Sequence, residues 1–284
     1  MARTVILTDS SANIPAEWVE EFNLKVIPLK IHWDDETLLD GVDITPAAFY
    51  ERLDKSESIP TTSQPSTQDF LQAFESLADG GADNIFVPLI SSGISGTVDS
   101  ARAAAEVFNR VPVEIIDTHI TSSGLVLVLL AAIRAAQQGK PLQEIKQVAE
   151  EVVNSLHVFF AVDTLEYLHR GGRINSASRY LGTALAIKPI LFFNSEGKID
   201  ALERVRTKKK ALERLIDIAE EEANGLPVHV GIVHANIPQA AQEFRCEVEK
   251  RLNCMEIVTV EFSPVIGVHV GPGTIGIALY TENY

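Results

Sequence analysis

Ile85-Phe86-Val87-Pro88-Leu89, then Ser91-Ser92-Gly93-Ile94-Ser95-Gly96-Thr97, then an alanine-rich run to Phe108, form the stretch that decides the fold class. Five consecutive apolar residues read as a buried strand, the Ser/Gly cluster as a turn, and the run behind it as a helix. Strand, turn and helix in that order are the repeating unit of an α/β sheet. The alternation continues on both sides. Residues 4–7, 113–116, 158–162, 189–193, 228–233 and 257–260 are further strand candidates, and 67–77, 122–138, 142–155, 208–222 and 239–252 have helical spacing. The sequence therefore predicts an α/β protein with largely parallel pairing.

The pattern shifts near Leu156. After it come a Gly-rich turn, a hairpin around Glu196-Gly197, and a closing strand over 274–280 with no helix behind it. Two α/β domains are expected, 1–155 and 156–284. Residues 125–133 form the longest unbroken apolar run, too short for a bilayer and suited to a buried helix.

Composition narrows the function. The chain has 284 residues, 46% of them hydrophobic, and 24 Lys+Arg against 39 Asp+Glu give a formal charge of −15. So acidic a protein repels phosphate backbones, so nucleic acid is not an expected partner. Cys246 and Cys254 have neither the spacing nor the His partners of a zinc site, and as two scattered thiols they suit the cytoplasm. The opening residues run straight into a strand without the apolar core of a signal peptide. A cytoplasmic protein, not an integral membrane one, is expected, with no metal and no cofactor.

Chemistry should gather just after strands, where helix N-termini meet turns. Ser91 to Thr97 offers glycines for close backbone approach, open helix-entry N–H groups, and the hydroxyls of Ser95 and Thr97. This suits a small anionic head such as a carboxylate, although an ordinary capping turn uses the same residues. Thr61-Thr62-Ser63-Gln64, stiffened by Pro60 and Pro65, can add hydroxyl donors or simply cap a helix. Asp9 and Asp117 each follow a strand. They read as turn and cap residues rather than Mg²⁺ ligands. Gly271-Pro272-Gly273-Thr274-Ile275-Gly276 matches the dinucleotide fingerprint in letters only, because a strand and not a helix follows it. A tight turn that carries His269 toward the cleft is expected there. Gly93-Ile94-Ser95-Gly96-Thr97 misses the nucleophile elbow by its last residue. A hydrolase or transferase acting on an acyl or glycerone-like substrate is the alternative reading, with Ser95 or His269 reactive.

Taken in order, these segments resemble the DegV family of fatty-acid-binding proteins over nearly the whole chain. The matching motifs are Asp9-Ser10, Thr62-Ser63-Gln64-Pro65, Ser95-Gly96-Thr97, Thr164-Leu165-Glu166-Tyr167-Leu168, Gly171-Gly172-Arg173-Ile174, Lys188-Pro189-Ile190 and His269-Val270-Gly271-Pro272-Gly273. Ile94, Val98-Asp99 and His119 depart from the commoner residues. The resemblance implies two α/β domains with an acyl chain between them and no catalytic residue. It implies a carrier that presents the carboxylate of a palmitate- or oleate-class acid to a fatty acid kinase, which makes acyl phosphate for phospholipid synthesis. Thr62, Ser95 and Gly96, with His269 near the same head group, are then the fatty-acid-binding residues. Arg173 and Arg206 are expected to dock the partner. Burial of a sixteen-carbon chain is worth roughly 10–12 kcal/mol gross. Hydroxyl and backbone donors are expected to hold the carboxylate without a cation.

Overall fold

The computed structural model describes residues 2–181 and 187–281. Strand β1 (Thr4–Asp9) leads through a short turn (Ser10–Ala12) and helix α1 (Ala16–Glu21) to β2 (Lys25–Ile27). A hairpin of β3 (Lys30–Trp33) and β4 (Glu36–Leu39) follows, then α2 (Pro46–Lys55), β5 (Thr61–Ser63) and α3 (Thr67–Asp79). Ser66 and Asp69 close a reciprocal capping box at the entry to α3. Next come β6 (Asn84–Leu89), α4 (Thr97–Val107), β7 (Val113–Asp117), α5 (Ser122–Gln137) and α6 (Leu142–Ser155). Beyond residue 156 lie β8 (His157–Ala161), α7 (Glu166–Arg170), β9 (Lys188–Phe193), β10 (Ile199–Val205), α8 (Lys208–Ala223) and β11 (Val228–His234). The chain continues with α9 (Pro238–Arg251), β12 (Cys254–Glu261), α10 (Pro264–Val270) and β13 (Ile275–Thr281).

The first large sheet has the order β2-β1-β6-β7 and is parallel throughout. Its inner strands β1 and β6 are buried along nearly their whole length, as helices on both faces require. The second has the order β10-β9-β8-β13-β11-β12. Here the expectation of parallel pairing fails, since only β11 and β12 run parallel. The closing strand β13 enters between β8 and β11 against both of them, and β9–β10 is a hairpin. A short hairpin such as β9–β10 is antiparallel by construction, since parallel neighbours need a long crossover. A third, small sheet, β4-β3-β5, is antiparallel and sets Thr62 opposite Ile31.

Helix α5 joins the two large sheets. It is apolar on every side and almost wholly buried, as the run at 125–133 suggested. Its leucines and valines share one apolar cluster with Ile6 and Phe86 of the first sheet and Val233, Val258 and Ala278 of the second. Among the described residues no helix is long and apolar enough to cross a membrane.

Candidate functional site

After β6 the chain turns away from the sheet at Ile90, and two carboxylates, the buried Asp9 and the half-buried Asp117, hold the turn in place. Asp9 accepts Ile90 N–H at 2.8 Å and Ser11 N–H at 3.0 Å. Asp117 accepts Ser92 N–H at 3.1 Å and His119 N–H at 3.0 Å. Both acids thus brace loops, which is the turn and cap role expected of them. The same turn touches the β9–β10 hairpin, where Ser91 Oγ donates to Gly197 O at 2.7 Å. Gly93 permits that contact, because a Cβ there would stand 2.5 Å from Glu196 O.

Helix α4 starts at Thr97, with Gly96 at its cap and no side chain on its first N–H groups. Ser95 and Gly96 therefore lie in the turn facing the helix end. Ser95 Oγ is 2.8 Å from Thr97 Oγ1. Gln64 packs against Gly96, so the loop after β5 and the turn before α4 meet face to face.

Helix α10 brings the third component. His269 Nε2 lies 2.8 Å from Thr62 Oγ1, across 207 positions of sequence. The ring also abuts Gly171 just beyond α7, where a Cβ would fall 2.1 Å from His269 Nδ1. That Nδ1 is buried without a hydrogen-bond partner. Burial, and then the charge of Arg173, push the imidazole pKa down to about 4, so it is neutral at pH 7. The serine and the histidine of the alternative enzymatic reading are each bonded to a threonine rather than to each other.

Thr62, Ser95 and His269 line one cavity of about 800 Å³, counting the part open to solvent. That is the scale of a small-molecule site, about 300–1,000 Å³. Most of the remaining wall is apolar, with Ile90, Phe160, Phe193, Val233, Phe262 and Ile266 among the lining residues. Arg173, expected on a docking rim, also lines this cavity. Its Nε donates to Ile94 O at 3.1 Å, its Nη1 donates to Gly171 O, and burial lowers its pKa. Among the described residues that line the cavity it is the one charged side chain, so a cation stands in the same wall as Thr62, Ser95 and His269. Arg206 lies elsewhere, exposed just past β10. Of its basic neighbours, Lys208 is paired with Asp163 at 3.2 Å.

Sequence reasoning missed the entry of α5. Thr121, Ser122 and Ser123 are buried and line the same cavity. In the sequence they are an ordinary polar cap before an apolar helix. The Gly271-Pro272-Gly273 turn leads from α10 into β13, so the dinucleotide reading has no helix to rest on. Among the described residues no group of three His, Cys, Asp or Glu side chains is placed to hold a metal ion.

A model of the DegV family matches residues 3–282. A DegV domain-containing protein of Listeria innocua is 34% identical over 278 residues, 97% of each chain. Two solved structures superpose over 99% of this chain and 100% of their own, both at 33% identity. One, described as showing fatty acid binding of a DegV family protein from Thermus thermophilus, gives a TM-score of 0.92. The other, DegV from Bacillus subtilis, described as a fatty acid binding protein, gives 0.91.

Proposed function

The chain belongs to the DegV family, and on that premise we propose that it is a cytoplasmic carrier that holds one long-chain fatty acid between two domains, 1–155 and 156–284. The observation that carries the reading is a largely apolar cavity whose hydroxyls, neutral histidine and single guanidinium stand together in its lining. An acyl chain of the palmitate or oleate class takes the apolar walls. At about 0.8 kcal/mol per buried CH₂, a sixteen-carbon chain gains roughly 10–12 kcal/mol, which exceeds an association cost of several kcal/mol and leaves tight binding.

The carboxylate takes the place lined by Thr62, Ser95, His269 and Arg173, with Gly96 next to Ser95 at the cap of α4. His269 Nδ1 has no acceptor to donate to, and a buried N–H without an acceptor costs more than a bare lone pair. The ring proton therefore belongs on Nε2, which donates to Thr62 Oγ1 and leaves the threonine hydroxyl proton free for the ligand. Arg173 supplies the charge that neutral donors lack. With Ser95 and His269 each bonded to a threonine, these side chains serve to hold the carboxylate, which fits a carrier. It presents the acid to a fatty acid kinase, which forms acyl phosphate for phospholipid synthesis. Arg206, with exposed Lys209 and Lys210, offers that partner a basic patch on an otherwise acidic protein.

Native mass spectrometry and organic extraction of the purified protein test the reading. Near one fatty acid per chain is expected. No extractable acid, together with no binding of added palmitate or oleate, would overturn it.

A further inference from the structure

The acyl cavity has a second polar place, away from its head-group wall. Helix α5 begins inside the protein, and Thr121, Ser122 and Ser123 at its entry are buried yet line the cavity. No side chain caps the first N–H groups of this helix. Two of the three hydroxyls are engaged within the protein. Thr121 Oγ1 donates to Ser11 O at 3.3 Å. The Asn13 amide, oriented to satisfy both of its ends, donates to Ser122 Oγ at 3.1 Å. Ser123 differs. It is 1% exposed, and its Oγ has no hydrogen bond to any described residue. A buried hydroxyl without a partner is costly, and this one belongs to the cavity lining.

The depth of Ser123 is fixed by packing. It presses on β11 at Gly231, where an added Cβ would stand 2.8 Å from Ser123 O and 2.9 Å from Ser123 Cβ. Gly231 pairs with Ala278, and Ala278 with Val158, itself a lining residue. Val158 lies three residues, roughly 10 Å, inside the end of β8 at Ala161. Arg173, and the Gly171 on which His269 packs, come from the chain beyond that end. Ser123 therefore faces the body of an acyl chain and not its carboxylate, among the apolar walls of Val158, Phe160 and Val233.

We propose that the acyl chain preferred by this cavity carries a hydroxyl near its middle, which hydrogen-bonds to Ser123 Oγ. This preference rests on the carrier reading and narrows its substrate class. A plain chain lays CH₂ groups over the serine hydroxyl and leaves it unpaired, whereas a chain hydroxyl offers it a donor and an acceptor at once. A neutral group fits better than a second carboxylate, because the one charged side chain in the described lining, Arg173, stands at the head.

The test is displacement of a fluorescent probe from delipidated protein by stearate, 10-hydroxystearate and 2-hydroxystearate, with the parent and with Ser123→Ala. The parent should hold 10-hydroxystearate more tightly than stearate, and 2-hydroxystearate should show no such gain. In Ser123→Ala the affinity for 10-hydroxystearate relative to stearate should fall on the order of tenfold, since the chain hydroxyl is then buried without a partner. If Ser123→Ala does not fold, the order of the three acids on the parent decides alone. Stearate binding with no preference for 10-hydroxystearate, an equal gain from 2-hydroxystearate, or an unaltered ratio in the folded variant would overturn this inference and leave the carrier reading standing. Binding of none of the three acids would overturn both.

Discussion

Lowering the pH from 7 to 4 on lipid-free protein tests the electrostatics of the head-group wall through one residue, His269. Its imidazole is packed against Gly171, bonded to Thr62 at 2.8 Å, and faces the guanidinium of Arg173, so its pKa falls from 6.5 to about 4. The folded-state pKa is below the unfolded one. The neutral ring therefore contributes stability that is fully present above pH 6.5 and is lost as the pH falls toward 4. The difference between 6.5 and about 4 corresponds to about 3 kcal/mol. Asp40 works in the opposite sense. Burial raises its pKa to about 6, so its contribution is present at low pH and lost as the pH rises through that value. Comparing the protein with His269→Asn removes the Asp40 effect, which both share. Urea unfolding across this range should show the parent losing about 3 kcal/mol more than the variant. Histidine Cε1–H resonances, assigned by the same variant, should place the His269 midpoint near 4 and show it rising when a fatty acid carboxylate is bound. A midpoint near 6.5, or stability curves that stay parallel, would refute the burial argument.

Three further perturbations separate the roles of these residues. Arg173→Met should weaken fatty-acid binding by about 1–3 kcal/mol in a fluorescent-probe displacement assay, as expected for loss of a charge-assisted partner. Arg206→Glu should leave that affinity intact and slow acyl-phosphate formation by a cognate kinase, most at low salt. Gly171→Ala drives a methyl group to 2.1 Å from His269 Nδ1, so it should displace the ring from Thr62. Overpacking of this kind costs about 1–3 kcal/mol, read as a lower melting temperature together with weaker fatty-acid binding.

How far the sequence could be read depended on whether a feature is local or made by distant packing. The strand at 85–89 and the helix at 122–138 announce themselves through unbroken apolar runs, the strand at 228–233 through its β-branched residues, and each is present. So are the Asp9 and Asp117 braces, because an acid just after a strand reaches N–H groups only one or two residues on. The small sheet leaves no such trace. Thr61–Ser63 is three polar residues with no alternation, and it becomes a strand because Ile31 offers an edge opposite Thr62. Helix α10, Pro-Val-Ile-Gly-Val-His-Val, is built from residues that disfavour helix. Burial of Val265, Ile266 and Val268 overrides that preference and turns His269 onto Thr62. Arg173 shows the same limit at the site. In a Gly-Gly-Arg turn of an acidic chain a guanidinium reads as surface charge, since nothing within ten residues can bury it. What places it in the wall is Ile94, 79 positions earlier, whose carbonyl accepts its Nε. The cavity's hydroxyls are thus visible in local composition, whereas the guanidinium beside them is placed only once the two halves of the chain close on each other.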